Sequence, residues 1–175
     1  MKSTGVVRRI DELGRIVIPK EIRKNLGIRE GENLEIFIEE NKIVLQKQMI
    51  MDNAKQITEK LVNLVLDIYD INIIVTNRDS VVISTDSDIK VDEKISNKLV
   101  KIMESRQVYD SYQSENILIT NTKLNAYFYM VPIIVDADAI GLIVITNNLK
   151  ISDEEKKIIK FLEKIINNSL SISWN

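Results

Sequence analysis

The stretch that decides the fold of the first part of this chain reads Thr4-Gly5-Val6-Val7-Arg8-Arg9-Ile10-Asp11-Glu12-Leu13-Gly14-Arg15-Ile16-Val17-Ile18. It contains two β-prone runs, 4–10 and 14–18, on either side of a turn-like Asp-Glu-Leu segment. Both runs carry arginines between apolar residues. Because side chains alternate between the two faces of a strand, we expect these arginines to face outward while their neighbours pack.

The residues that follow predict a short helix and a second hairpin. Pro19 suits the first turn of a helix, and Gly27 stops the helix that Lys20–Leu26 would form. The runs Leu34–Glu39 and Lys42–Lys47 alternate apolar and polar residues around a turn at Glu40-Asn41, as in a β-hairpin. The sequence therefore predicts the order β-β-α-β-β within residues 1–47.

A unit of this size buries too little surface to be stable by itself. Below about 40 to 60 residues a fold usually needs a metal, disulfides or a partner chain. The chain has no cysteine and no histidine, which argues against a disulfide framework and a Cys-based zinc site. We therefore expect a second copy to complete the fold, giving a β-barrel formed by dimerisation.

Charge separates the two ends of the chain. Residues 1–24 hold seven Lys or Arg and three acids, a net charge of +4, whereas the whole chain carries −2. A basic head on an acidic body indicates polyanion binding confined to one end. The alternative is an ordinary solvated face.

Residues 5–28 resemble the AbrB-type swapped-hairpin DNA-binding domain, because turn, arginine, strand, proline and helix fall in that family's order, and the resemblance extends over residues 1–47. It implies that two N-terminal halves interleave into one dimeric β-barrel whose exposed arginines contact double-stranded DNA. Lys24 departs from the arginine usual in closer relatives, which keeps the charge but weakens bidentate recognition. The predicted DNA-binding residues are Arg8, Arg15, Arg23, Lys24, Lys2 and Lys20.

Other roles remain open for three of the basic residues in this region. Arg23 and Lys24 could instead stabilise the helix dipole from the helix C-terminus. Arg9 points to the opposite side of its strand, where it would pair with an acid inside the dimer. We expect these residues to bind DNA mostly through phosphate contacts, with specificity coming partly from DNA shape and deformability.

The second part of the chain predicts an α+β domain with an antiparallel sheet over residues 54–175, after a linker at 48–53. Apolar residues at helical spacing indicate helices at 53–69 and 153–170. Ser152 and Glu155 have the spacing of a capping box. Between these two helices, the sequence predicts a hairpin formed by Ile71–Thr76 and Ser80–Ser84, followed by a helix at Asp92–Ser105. It then predicts three strands, at Ile117–Ile119, Ala126–Val131 and Gly141–Ile145.

Tyr129–Val135 followed by Ile140–Ile145 resembles the closing hairpin of GAF domains, which are small-molecule sensors and dimerisation modules. An AbrB-type head before a GAF-like body resembles transcription regulators of sporulation genes that activate some genes and repress others. The resemblance also implies that the helices at 53–69 and 153–170 join two dimers into a homotetramer. Ordinary packing within the domain is the alternative for these helices.

A ligand pocket in a GAF fold lies between the sheet and the central helix, so an unknown small-molecule effector is a further expectation. The candidate pocket residues are Tyr109, Tyr112, Tyr127 and Tyr129, which could equally belong to the core or the surface. The sequence has no Gly-rich phosphate loop and no obvious cluster of acids. We therefore expect no metal and no cofactor.

Composition also bears on activity and localisation. Without histidine and cysteine, the chain lacks an imidazole base and a thiolate nucleophile, which argues against an enzyme, including a ligand-hydrolysing sensor. No apolar run approaches the roughly 20 residues needed to span a bilayer, and the N-terminus lacks the apolar segment of a signal peptide. We expect a cytoplasmic protein with no membrane association.

Two other functions compete with regulation of sporulation. A general AbrB-like regulator of the transition state is the nearest, although such proteins usually have a much shorter second domain. The antitoxin of a toxin–antitoxin pair is the other, because the swapped-hairpin fold also heads antitoxins. Those usually end in a disordered tail, whereas the tail here has the periodicity of a folded domain.

Overall fold

The computed structural model describes residues 5–31, 33–47 and 50–172. The chain divides into two compact units, Met1–Gln48 and Met49–Asn175. In the first unit, helix α1 spans Lys20–Asn25, and strands β1, Leu34–Glu39, and β2, Lys42–Lys47, form an antiparallel hairpin. The predicted helix and second hairpin are therefore confirmed.

The two strands predicted at 4–10 and 14–18 are not formed within the single chain. Residues 5–18, the described part of that stretch, contain a turn at 12–14 but no strand pairing. The described part of the first unit thus has the order α-β-β instead of β-β-α-β-β. A strand requires a hydrogen-bonded neighbour. The apolar side chains here also lie open, as with Val7, which is 85% exposed.

Helix α1 ends in a hydrogen-bonded C-terminal turn. The Ile28 N–H donates to the Arg23 carbonyl at 2.7 Å, and the Gly27 N–H donates to the Lys24 carbonyl at 3.3 Å. Gly27 has a φ of +65°, the left-handed conformation that this Schellman motif requires. Gly27 therefore stops the helix, as the sequence predicts.

The second unit contains six strands and three helices among its described residues: α2 (Ile50–Leu66), β3 (Asn72–Asn77), β4 (Val81–Ser84), α3 (Asn97–Glu104), β5 (Tyr109–Asp110), β6 (Glu115–Leu118), β7 (Lys123–Val135), β8 (Asp138–Asn147) and α4 (Asp153–Ile172). The strands form an antiparallel sheet in the order β4-β3-β8-β7-β5, with β6 also paired to β7. This confirms the predicted α+β class. Because α2 begins at residue 50, part of the predicted linker at 48–53 is helical, and residues 48–49 lie outside the described residues.

Apolar cores lie on both faces of this sheet. Ile73 and Val75 point to the face covered by α2 and α4. Ile74, between them, points to the face covered by α3, where it joins Leu99 and Phe128. Neighbouring side chains of a strand point to opposite faces, and both faces are covered here. The central strands are therefore continuously apolar instead of alternating apolar and polar residues.

Two local predictions have different outcomes. The capping box is confirmed, because the Ser152 N–H donates to Glu155 Oε2 at 2.6 Å and the Glu155 N–H donates to Ser152 Oγ at 3.2 Å. The helix predicted from Asp92 begins only at Asn97. Residues 92–95 instead lie beside residues 79–81 at the start of β4, where the Val81 N–H donates to the Glu93 carbonyl at 2.9 Å.

Candidate nucleic-acid interface

The turn between the two basic runs is closed by Asp11. The Asp11 N–H donates to the Arg15 carbonyl at 3.0 Å, and the Gly14 N–H donates to the Asp11 carbonyl at 3.0 Å. The carboxylate Oδ1 also accepts from the backbone N–H groups of Leu13 at 3.0 Å and Arg15 at 2.8 Å. An aspartate at the start of a turn commonly folds back on the backbone in this way.

Asp11 also holds the Arg15 side chain. Arg15 Nε donates to Asp11 Oδ2 at 2.8 Å, while the Arg15 side chain remains 71% exposed. The hydrogen bonds from the backbone and side chain of Arg15 hold the pKa of the Asp11 carboxyl below its usual value. The turn therefore presents an oriented guanidinium to solvent.

Most of the other predicted DNA-binding residues are exposed. Arg8 donates through Nη1 to the neighbouring Val7 carbonyl at 3.1 Å, and its side chain is exposed. Lys20 and Lys24 are exposed at the two ends of α1, whereas Lys2 lies outside the described residues. The described surface of the first unit thus carries basic groups on the turn region and along α1.

Arg23 differs from the other basic residues because it is half-buried. Its Nε atom is buried and has no hydrogen-bond partner among the described residues. Buried polar groups are almost always paired in folded proteins, so an acceptor for this N–H is expected outside the described residues. The alternative role in the helix dipole remains compatible with its place in the last turn of α1.

The sequence predicts Asp11 only as a turn residue, whereas in the structure its carboxylate orients Arg15. The signal was present, since an aspartate stands four residues before an arginine with Gly14 between them. Gly14 adopts a φ of +77°, which permits the tight return of the chain. The acidic partner expected for Arg9 would require a second copy of the chain, so it stays a prediction.

The four candidate pocket tyrosines of the second unit are not brought together. Tyr129 is buried, and Tyr127 partly buried, on the face covered by α2 and α4. Tyr109 packs on the α3 face, whereas Tyr112 is 88% exposed. Burial, together with the hydrogen bond that Tyr109 Oη donates to Glu115 Oε2 at 2.6 Å, raises the pKa of Tyr109 to about 12.

A polar groove of about 440 Å³ lies at one end of the sheet, and its lining includes none of these tyrosines. It is lined by Asp70, Ile71, Asn72, Asp86, Asp88, Lys123, Leu124, Asn125, Ala126, Thr146, Asn147 and Asn148. Within the described part of the chain, no group of three or more acidic residues is arranged to hold a metal ion.

The basic unit and the two-faced α+β unit define the class of protein: an AbrB-type DNA-binding regulator homologue with a GAF-like domain. Residues 7–51 match the family described as "Antidote-toxin recognition MazE, bacterial antitoxin". Stage V sporulation protein T of Bacillus subtilis (strain 168) is 33% identical over 151 residues, which cover 83% of this chain and 84% of that protein. The chain belongs to the stage V sporulation protein T family.

Two further similarities concern the separate units. The transition state regulatory protein AbrB of Bacillus subtilis (strain 168) is 60% identical over 47 residues, which cover 27% of this chain and 49% of that protein. The GAF domain from Acinetobacter phosphoenolpyruvate-protein phosphotransferase is 12% identical with a TM-score of 0.50, over 73% of this chain and 96% of that one. The latter similarity establishes the fold alone.

Among the described helices, none is long and apolar enough to cross a membrane. The relatives named above are a sporulation protein and a regulatory protein.

Proposed function

We propose that this protein is a DNA-binding transcription regulator of sporulation genes, activating some and repressing others. The observation that carries the proposal is the turn that presents Arg15, in a unit 60% identical to a transition state regulatory protein. The sporulation role is supported by 33% identity to stage V sporulation protein T across both units. A basic surface of this kind binds mainly through phosphates.

The test is binding to promoter DNA across a salt series. The parent should bind less tightly as salt rises, with log K falling linearly against log salt. A variant carrying Arg8→Ala, Arg15→Ala and Arg23→Ala should lose this binding while still folding. Salt-insensitive binding by the parent, or unchanged binding by the variant, would contradict the proposal.

A matched control removes the same charge from the second unit. Lys90, Lys101 and Lys150 are exposed there, and replacing all three with alanine lowers the net charge by the same amount. This control should bind DNA as the parent does. A loss of DNA affinity equal to that of the arginine variant would show that the overall charge of the protein governs binding, and not the arginines of the first unit.

The active form of the first unit in this proposal is a homodimer. Every side chain described in residues 5–31 and 33–47 is at least partly exposed. Two cross-strand pairs of the hairpin, Ile36 with Leu45 and Ile38 with Ile43, place four exposed apolar side chains on one face. A second copy would cover this face and pair with the runs at 5–18.

The two long helices support assembly of two dimers into a homotetramer. Ile57, Leu61, Leu64 and Ile68 follow the spacing 4-3-4 along α2 and the residues just after it. Leu64 is 60% exposed at the centre of this stripe. Alternation of three and four residues is the spacing of coiled-coil contacts.

Helix α4 carries a similar stripe. Ile158, Phe161 and Ile165 are three and four residues apart, and Phe161 is 59% exposed. Because α2 and α4 pack against each other, the two stripes can meet their counterparts in a second copy. Tetramer formation would increase the apparent affinity for paired DNA sites by linking two binding units.

Sedimentation tests this assembly directly. The double variant Leu64→Glu, Phe161→Glu should sediment as a dimer, whereas the parent sediments as a tetramer. Asn63→Glu adds a charge to the exposed side of α2 away from the stripe and should remain tetrameric. A parent that sediments as a dimer would remove the tetramer from the proposal without affecting the basic surface.

The proposed function also includes binding of a small-molecule effector by the second unit. The groove of about 440 Å³ supports this role, and its polar lining fits a polar ligand. A thermal-shift screen of polar metabolites should find a compound that stabilises the parent and not an Asn125→Leu variant. Equal stabilisation of the two proteins would place that compound elsewhere.

An antitoxin is the second candidate, favoured by the match of residues 7–51 to the MazE family. In that function the basic head would be a partner-binding surface. The folded second unit, with apolar cores on both sides of its sheet, differs from the disordered tail expected of an antitoxin. Absence of salt-sensitive DNA binding would favour this candidate.

A further inference from the structure

We propose that Asp11 determines the DNA sequence specificity of this protein by holding Arg15 in one orientation and lowering its attraction to phosphate. The inference rests on the proposed DNA binding and names a positioning residue within the same surface. Asp11 acts through Arg15 and contacts no DNA itself.

The geometry leaves a defined part of the Arg15 side chain for DNA. Nε is held at 2.8 Å by Asp11 Oδ2, which fixes one edge of the planar guanidinium. The other carboxylate oxygen is held by the backbone N–H groups of Leu13 and Arg15. The carboxylate is therefore fixed by the turn itself, and the terminal Nη1 and Nη2 atoms remain for an outside acceptor.

The ion pair with Asp11 should affect the contacts of Arg15 with phosphate and with a base edge differently. Attraction to phosphate depends on charge, and the Asp11 carboxylate beside the guanidinium offsets that charge. A bidentate contact to guanine O6 and N7 depends on the fork geometry, which the Nε hydrogen bond preserves. Asp11 thus favours a base contact over a phosphate contact at Arg15.

The other arginines of the surface are held differently. Arg8 donates to a neutral backbone carbonyl, which orients the side chain without offsetting its charge. Arg23 is half-buried, and its Nε has no partner among the described residues. We therefore assign phosphate contacts mainly to those residues and base selection to Arg15.

Asp11→Asn separates this role from the role of Asp11 in the turn. The amide oxygen can still accept from the two backbone N–H groups, so the turn is retained. The negative charge is lost, and an NH₂ group replaces the oxygen that accepts from Arg15 Nε. Glu12→Gln is the matched control, because it removes the same charge from the adjacent exposed residue of the same turn.

The measurement compares two DNA duplexes. One is enriched from a random-sequence pool by binding to the full-length parent, and the other is a shuffled duplex of the same composition. For Asp11→Asn, the ratio of the two affinities should fall by about tenfold, the order of discrimination supplied by one bidentate base contact. Tighter binding to the shuffled duplex should cause most of this fall, with a steeper salt dependence. Glu12→Gln should keep the ratio within about twofold of the parent, because surface charges in water interact weakly.

Two results would overturn the inference: a ratio unchanged in Asp11→Asn, including the case in which both duplexes are bound more weakly by the same factor, or the same fall of the ratio in Glu12→Gln. If the parent binds neither duplex in a salt-dependent way, the proposed function fails together with the inference. If the parent discriminates and Asp11→Asn matches it, only the inference fails.

A second variant keeps the test decisive if Asp11→Asn does not fold. Arg15→Lys retains the positive charge and leaves the turn carboxylate in place, but a lysine has no Nε–H fork to be held. It should lose discrimination while keeping binding to the shuffled duplex within about threefold of the parent, since one charge is conserved. Discrimination equal to that of the parent would show that an oriented guanidinium is not needed.

Discussion

The two units of this chain differ in how much of their fold a single copy can complete. In the second unit, both faces of the sheet are covered by helices of the same chain, and residues such as Phe128 are fully buried. In the described part of the first unit no side chain is buried, and its basic runs pair with no strand. Chain length alone does not give stability, which depends on apolar surface removed from water.

The strongest test of this difference introduces a charge on the open face of the hairpin. Ile36→Asp would place an unpaired carboxylate in the core of the proposed dimer, which should reduce dimerisation and DNA affinity by roughly a hundredfold or more. Unfolding of the second unit should not change. Gel filtration, DNA titration and urea unfolding measure the three effects.

Glu35→Gln is the control, because residue 35 lies on the opposite face of the same strand. It should dimerise as the parent does. A dimer that persists in Ile36→Asp would mean that this face is not the shared core.

A truncation in the second unit should have a large effect confined to that unit. Phe128→Ala removes a fully buried side chain next to α3 and should lower the free energy of unfolding by about 3–5 kcal/mol. Urea unfolding followed by circular dichroism gives the value. Tyr112→Ala, at an exposed aromatic, should stay within about 0.5 kcal/mol of the parent; similar losses for the two variants would contradict the burial pattern.

A smaller effect is expected at the start of α4. Ser152→Ala removes the acceptor for the Glu155 N–H and should cost about 1 kcal/mol in thermal or chemical unfolding of the second unit. Ser87→Ala, at an exposed serine in a turn, should be neutral. If both substitutions were neutral, the helix would be fixed by its packing and not by its cap.

The smallest expected effect is a pH dependence of the second unit. Only the neutral Tyr109 phenol can donate to Glu115, and its pKa is raised from 10.0 to about 12. The stabilisation should be complete below pH 10 and lost as pH rises toward 12. Unfolding free energies from pH 8.5 to 11.5 should decline less steeply in Tyr109→Phe.

Lys156 supplies a second contribution of the same sign, because its hydrogen bond to Asp110 raises its pKa above the usual value. The difference between Tyr109→Phe and the parent isolates the phenol. Identical pH profiles would show that the bond to Glu115 adds no stability.

Signals within one element predicted much of this fold. Gly27, the hairpin at 34–47 and the capping box at Ser152 were read correctly because each depends on residues close in sequence. The two-residue strand β5 has no such signal, since its pairing with β7 is set by the tertiary fold.

Prediction of the sites was limited by contacts between distant segments. Tyr127 and Tyr129 are two residues apart in β7, so the sequence predicts that they share one face of the sheet. The tertiary packing alone shows that α3 covers the other face. The basic residues were found from charge and family resemblance. The orientation of Arg15 depends on a hydrogen bond that charge counting does not reveal.

The segment at 92–95 has a consequence for solubility. Strand β4 is the outer strand of its sheet, and Val81 exchanges backbone hydrogen bonds with this segment through Asp92 and Glu93. An outer strand with open N–H and C=O groups is a template for aggregation. Because both backbone groups of Val81 are already bonded to its own chain, the start of this edge is closed to a strand from another molecule.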